Sequence, residues 1–421
     1  MPFATVPSKS DEHPSNRDDP ALTRPLVSDV GVVAIPPFPW HVTWAQTAHW
    51  VIPTLANYFR VLWMDPPINW RGALRTGLRA RSVFVPVPQR TGLTIYRQEA
   101  WLPQFYRPGW LSRATYLARI RRAQDHLRHR GCKKVVLYLW TPRYDLAAYA
   151  GGWDLTSYHI DDEYSYSEVE VPTSPEEYKL LHSVDRVFIH STSLMEKKGK
   201  ENPRTFLSPN GVDYCAFATP APEPADLRAI PHPRIGYAGF LKKQLDWNLL
   251  RSLAIQHPEW SFVFAGKKSP HPEIDSAIAA MKTRPNVFFL GEKSAHDLVA
   301  YPQYFDVCLM PYVYNGYTKY IYPLKMHEYL ASGQPVVATP LPSIVPFGRV
   351  LSLPHSLAEW SDAIHAALGP TANSPGARTA RRMVAREHDW SSLTRRLAEV
   401  MADGLGLEYV EKLRARVQAT Q

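Results

Sequence analysis

Cysteine is nearly absent, with three residues among 421, at positions 132, 215 and 308. Thiols so few and so far apart make neither a disulfide framework nor a metal cluster, which fits a reducing compartment. Also missing is any run of the ~18 consecutive apolar residues that a membrane span needs, and residues 1–26 are polar and proline-containing, without an apolar signal core. The expected location is the cytoplasm. Lysine is missing from residues 70–130, where thirteen arginines stand against only Glu99 and Asp125. That stretch carries a net +11 in a chain whose total is +9, so the remainder is slightly acidic. Trp70, Tyr96, Trp101, Phe105, Tyr106, Trp110 and Tyr116 lie among the guanidinium groups, a mixture suited to anionic lipid headgroups or nucleic-acid phosphates. A plain solvated surface is the competing reading, because 113–130 has helical periodicity with Leu117, Ile120 and Leu127 turned inward.

Apolar residues make up 45% of the chain, and proline, at 39 residues, is nearly twice average usage. That composition is globular, and 421 residues exceed the roughly 250–300 at which a single core stops growing. Two domains are expected. Apolar runs at 30–35, 60–64, 135–140, 155–160 and 186–191 alternate with helical patterns that include 43–58 and 113–130. A second alternating set runs through 234–238, 261–265, 287–290, 307–310 and 335–338, with helices expected at 245–256, 273–281, 295–304 and 324–331. Such alternation predicts βαβ units and parallel sheets. The fold class is therefore α/β, with two Rossmann-like doubly wound domains and a ligand cleft at the carboxyl ends of the strands. The expected division is a disordered leader at 1–27, an N-terminal domain at 28–215, a proline-rich linker at 216–233, a C-terminal domain at 234–373 and a helical tail at 374–421.

Two elements of the second half carry chemistry. Gly236-Tyr237-Ala238-Gly239-Phe240-Leu241-Lys242-Lys243 follows a strand and precedes a helix. Glycines there let backbone approach a phosphate, a helix N-terminus offers free N–H groups, and lysine adds a full charge. The spacing is neither a dinucleotide fingerprint nor a Walker loop. In the second element, Pro323 opens a helix that Gly333 stops. Met326, Tyr329 and Leu330 share its core face, whereas Lys325 and Glu328 lie about 60° apart on the other side, near the helix start. A cation for phosphate and a carboxylate for vicinal sugar hydroxyls fit that position; an exposed ion pair is the bland alternative.

The run Pro-Leu-Lys-Met-His-Glu-Tyr-Leu-Ala-Ser-Gly-Gln-Pro-Val-Val-Ala-Thr at 323–339 resembles the donor-site helix of nucleotide-sugar glycosyltransferases of the two-Rossmann-domain GT-B type, especially the family-four group of bacterial polysaccharide enzymes. Asn210-Gly211-Val212-Asp213 is similar to the turn that ends their N-terminal domain, and 236–239 to their phosphate-facing loop. Trp40-His41 and the run at 60–67 resemble one branch of the group. The resemblance implies that Glu328 holds the donor ribose and that Gly236, Gly239, Lys242 or Lys243, and Lys325 meet the diphosphate. It further implies that Gly266-Lys267 and Leu290-Gly291-Glu292 wall the base. One position departs from the pattern: Tyr320 stands where a second glutamate commonly lies, eight residues before Glu328.

The same resemblance implies a hexosyltransferase using a nucleoside-diphosphate sugar, UDP-sugar as first expectation, with no further cofactor. A saccharide or lipid-linked saccharide would accept, in polysaccharide or glycoconjugate synthesis, and the +11 charge of the arginine-rich stretch would hold the protein at the inner face of the plasma membrane. No Asp-x-Asp occurs in the chain, which argues against metal-dependent A-type transferases, and no metal ligands are expected. A retaining enzyme needs no protein base, since the donor phosphate can take the acceptor proton. An inverting one needs a base, for which His41, Asp161 and Asp162 are candidates. A sugar-nucleotide epimerase of the same fold, or a nucleic-acid-binding protein using the arginine-rich stretch, are the alternatives.

Overall fold

The computed structural model describes residues 24–42, 46–68, 83–88, 90–97, 99, 102, 104–105 and 107–420. Residues 1–23 of the expected leader lie outside these, as do Trp70, Trp101, Tyr106 and Arg71, Arg75, Arg79 and Arg81 of the basic stretch. The end of the expected leader is structured: Leu26 and Val27 donate backbone hydrogen bonds to the Asn57 and Tyr58 carbonyls, and Val27 is buried.

The first sheet contains β1 (Val30–Ile35), β2 (Arg60–Met64), β3 (Phe84–Val87), β4 (Arg90–Tyr96), β5 (Lys134–Leu139), β6 (Leu155–Ile160), β7 (Arg186–Ile189) and β8 (Thr205–Leu207). Their order is β3-β4-β2-β1-β5-β6-β7-β8, parallel except for β3 against β4. The second sheet is wholly parallel, in the order β11-β10-β9-β12-β13: β9 (Arg234–Ala238), β10 (Ser261–Ala265), β11 (Val287–Gly291), β12 (Val307–Met310) and β13 (Val336–Ala338). Strands β1, β6, β9 and β10 are buried along their whole length, as expected where helices cover both faces of a parallel sheet. The β3–β4 hairpin falls in the basic stretch, where arginine and proline hide the strand pattern from sequence.

Several elements differ from expectation for local reasons. The helix expected at 295–304 is split into Ala295–Leu298 and a 3-10 turn, Tyr301–Tyr304, with Pro302 inside the turn. The segment at 216–233 does not span free space. Phe217, Leu227 and Ile230 enter the second domain's core, while Tyr301 and Tyr304 donate hydrogen bonds to the Asp226 carboxylate and the Ala221 carbonyl.

The end of the chain divides between the domains. Helix Pro375–Glu387 buries Val384 and Ala385 in the second core, but Trp390–Leu405 and Leu407–Thr420 return to the first. There Trp390, Leu397, Met401 and Leu413 share a cluster with Val32, Trp63 and Tyr138. The outgoing and returning crossings are stitched together, Val212 N–H to the His388 carbonyl at 3.0 Å and Trp390 N–H to the Val212 carbonyl at 3.1 Å. Gly211 is needed at this crossing, because a Cβ would press on the His388 carbonyl and the Leu393 side chain. Among the described residues no helix is long and apolar enough to cross a membrane.

Since Met401 is fully buried in the first domain although it belongs to the chain's last helices, Met401→Ala should cost about 2–5 kcal/mol. Urea unfolding followed by a probe confined to the first domain checks this; a change under about 1 kcal/mol would mean the returning helix packs loosely.

Candidate active site

Strands β9 and β10 lie side by side and each is followed by a glycine in the left-handed region, Gly239 at φ 141° and Gly266 at φ 142°. Both must be glycine for a second reason. A Cβ at 239 would overlap the Lys325 ammonium, and one at 266 would overlap the Gly239 carbonyl. Lys325 sits in the first turn of helix Leu324–Ser332, whose inward face buries Met326, Tyr329 and Leu330 completely and which ends at Gly333 in the left-handed conformation. Its ammonium lies 5.4 Å from the centroid of the Tyr237 ring and 3.8 Å from Glu328 Oε2. Both side chains are only about one-fifth exposed, at 17% and 22%.

The structure thus brings Gly239, Gly266, Lys325 and Glu328 to one place. Gly291 joins them, accepting a hydrogen bond from Gly266 N–H at 2.8 Å, while Lys267 and Glu292 pair at 3.0 Å on the exposed rim. Gly236 does not belong to this surface. It lies inside β9, where the Phe305 ring occupies the space a Cβ would need, so its role is packing. The two consecutive lysines part ways. Lys243 is exposed and pairs with Glu168 at 2.7 Å, whereas Lys242 is half-buried, 5.9 Å from the Tyr312 ring centroid, with no carboxylate in ion-pair range among the described residues. Burial lowers the pKa of its ammonium, opposed by the charge of Asp162 and reinforced by that of Lys325.

Asp161 and Asp162 stand opposite, directly after β6. Asp162 bridges the domains, its Oδ2 accepting the Tyr317 hydroxyl at 2.8 Å, and Asp161 accepts the Tyr164 hydroxyl at 2.8 Å. Burial, and then the neighbouring Asp162 charge, pushes Asp161 up to about 7; burial pushes Asp162 up to about 6 against the Tyr317 hydrogen bond. His41 is exposed, 3.3 Å from the Arg97 guanidinium, so nothing places it beside these carboxylates. The buried histidine nearby is His49, boxed by Phe38, Trp40 and Trp63 and held by desolvation at a pKa of about 4.

Sequence reasoning missed the loop at 163–171. Tyr320 donates its hydroxyl to Glu170 Oε1 at 2.7 Å, so a carboxylate from the first domain lies beside the tyrosine that departs from the resembled pattern. Lys197 and Lys319 also hold Glu170, and burial notwithstanding, these hydrogen bonds depress its pKa to about 2. Gly316 N–H donates to the Glu168 carbonyl at 2.6 Å, adding a backbone tie between the domains. Nothing in the spacing of 163–171 signals these contacts, because the partners are some 150 residues away. The basic stretch is also corrected: Arg119 is 1% exposed, 3.7 Å from Glu99, and Arg122 pairs with the same carboxylate at 2.8 Å. Of the described arginines, 107, 113, 121, 128 and 130 remain on the surface, beside Trp110 at 70% exposure.

Residues 232–369 match the family described as Glycosyl transferases group 1. That match takes in every strand of the second sheet. A Bacillus subtilis (strain 168) protein named "Putative teichuronic acid biosynthesis glycosyltransferase TuaH" is 28% identical over 232 residues. That alignment covers 52% of this chain and 57% of the relative, so the likeness spans little more than half of either. Among solved structures, the sucrose-phosphate synthase from Thermosynechococcus elongatus superposes with a TM-score of 0.65 at 15% identity, over 89% of this chain and 98% of that one. A trehalose-6-phosphate structure from E. coli, bound with UDP-2-fluoro glucose, gives 0.61 at 13% identity, over 89% and 98%. These likenesses show that the chain has the two-domain GT-B fold.

A buried carboxylate whose folded pKa is raised contributes stability at low pH that is lost as pH rises through the folded value. For Asp161 and Asp162 the loss falls between about 4 and 7. Asp161→Asn should therefore stabilise the protein at pH 8 by on the order of 1 kcal/mol, about 2–4 °C, and leave Tm unchanged at pH 4. Melting curves at both pH values test this; a shift equal at the two would show that the carboxyl is not buried in charged form.

Proposed function

We propose that the protein transfers a hexosyl group from a nucleoside-diphosphate sugar, UDP-sugar first, to a saccharide or lipid-linked saccharide. The observation that carries this reading is the packing of the Lys325 ammonium against the side-chain-free backbone of Gly239, 3.8 Å from Glu328. Such a place offers a full positive charge, unobstructed backbone and the N–H groups of a helix start to a diphosphate, and a carboxylate one turn along to vicinal ribose hydroxyls. The E. coli structure bound with UDP-2-fluoro glucose and the B. subtilis relative's name in teichuronic acid biosynthesis support the donor class and the polymer product.

In this reading the bond between the anomeric carbon and the diphosphate oxygen breaks as the acceptor oxygen attacks the same face. Charge developing on the leaving diphosphate meets Lys325, the helix N-terminus and Lys242, which has no carboxylate in ion-pair range among the described residues. The departing phosphate takes the acceptor's proton, so transfer is retaining and needs no metal. The rim pair Lys267–Glu292 and Gly291 border the base, and Tyr320 with Glu170 lies toward the sugar. Glu328→Ala should weaken donor binding about ten- to a hundredfold, as expected for a charge-assisted hydrogen bond of roughly 1.5–3 kcal/mol, with little change in Tm. Calorimetric titration with UDP and UDP-sugars decides; lost stability with unaltered affinity would make Glu328 a structural residue.

The exposed Trp110, with Arg107 and Arg113 on the same end of helix Gly109–His129, gives the first domain a basic, aromatic surface. It fits peripheral contact with anionic lipid, where a lipid-linked acceptor would be met. Sedimentation with anionic vesicles should fall as salt rises from 50 to 500 mM and should drop in Trp110→Ala/Arg113→Glu; binding indifferent to salt would rule this contact out.

A further inference from the structure

The second domain carries a cluster at the opposite end of its sheet from the glycine loops. His257 caps helix Trp247–Gln256, Glu259 follows in the turn into β10, and His365 lies on helix Leu357–Leu368. The five residues of β10 separate this turn from Gly266 by about 16 Å. One potential ligand atom from each of the three residues lies within 4.8 Å of the other two, and this is the one such group of histidine, cysteine or carboxylate residues among the described residues.

What distinguishes it from a chance surface cluster is how the imidazoles are held. His257 is 8% exposed and stacked on Trp260 at 3.8 Å between centroids, with its Nε2 2.8 Å from Ser361 Oγ and its Nδ1 2.9 Å from Glu259 Oε1. His365 packs edgewise on the same Trp260, and its Nδ1 is 3.0 Å from the Ser361 carbonyl. A carbonyl only accepts, so Nδ1 of His365 carries the hydrogen and, in the neutral ring, Nε2 keeps a lone pair. The Ser361 hydroxyl can donate or accept, so rotating it lets His257 carry its hydrogen on Nε2 and present a lone pair at Nδ1. One buried residue thus orients both rings through their remote nitrogens, as outer-shell partners of metal-bound histidines do.

We propose that His257, Glu259 and His365 bind a borderline divalent transition-metal ion, Zn2+ above all. Two neutral imidazole nitrogens, one carboxylate oxygen and a water complete a tetrahedral shell, and nitrogen donors disfavour Mg2+ and Ca2+. Glu259 and His365 are exposed and can draw in from the present separations to bonds of about 2.0–2.2 Å. The ion would clip helix Leu357–Leu368 to the turn that begins β10. This site is independent of the transfer reaction, because none of its residues lies at the glycine loops or Lys325.

The test uses the full chain, freed of metal by chelator and dialysis, and ZnCl2 alone as the probe. Calorimetric titration should find one ion per chain with a micromolar dissociation constant, and Tm should rise with the logarithm of zinc concentration; MgCl2 should do neither. His365→Ala and Glu259→Gln should each weaken zinc binding at least tenfold, and Ser361→Ala about tenfold without removing a ligand. All three should keep the wild-type affinity for UDP, which separates this site from the transferase reading. Zinc binding of the same affinity and stoichiometry in the His365→Ala/Glu259→Gln double variant, or no binding to the wild-type chain at 100 µM, would overturn the proposal.

Discussion

A lysine ammonium pressed against bare backbone sets the geometry of the cleft. Lys325 reaches Gly239 only because position 239 has no side chain, and the Gly239 carbonyl in turn lies where a side chain on Gly266 would be. Two glycines at the ends of adjacent parallel strands therefore do one job, bringing backbone and a single charge into contact. The left-handed φ at both would be costly for any other residue, so conformation and space select glycine together. Glu328, one turn further on, keeps the ammonium from standing unpaired while leaving both groups reachable from the cleft.

Around that point the domains are joined more extensively than by one linker. The chain leaves through Val212 and returns through His388, with backbone hydrogen bonds fixing the crossings to each other. The last helices complete the first domain's core, so the first domain is not a contiguous stretch of sequence, whereas the core of the second runs unbroken from Val212 to Ala385. Across the cleft mouth, Asp162 with Tyr317, Glu170 with Tyr320 and Lys319, and Glu168 with Lys243 make polar ties. The ion pairs among them, Glu170–Lys319 and Glu168–Lys243, are largely exposed and individually weak.

The two acidic residues after β6 add a constraint of their own. They are half-buried, and desolvation raises both carboxyls, Asp161 to about 7 and Asp162 to about 6. Their side-chain hydrogen-bond partners are tyrosine hydroxyls, and on Asp162 the charge of Lys242 adds to the effect of that bond. Lys197 and Lys198, at the end of helix Thr192–Lys198, serve Glu170, Glu163 and Glu177 instead.

What could be read from the sequence was local and periodic. Alternating apolar runs and helical spacing determined two parallel sheets, and the 100° advance per residue put Lys325 and Glu328 together and turned Met326, Tyr329 and Leu330 inward. Tertiary structure alone decided the rest: that Lys243 pairs with Glu168 while Lys242 is half-buried by Tyr312, that Gly236 is packed under Phe305, and that Arg119 is buried on Glu99 rather than displayed. It also decided that Tyr320 meets Glu170, and that His257 and His365 share Ser361. The physical reason is separation along the chain. Periodicity reports which face of its own element a residue occupies, but a partner on another element is chosen by how whole elements pack.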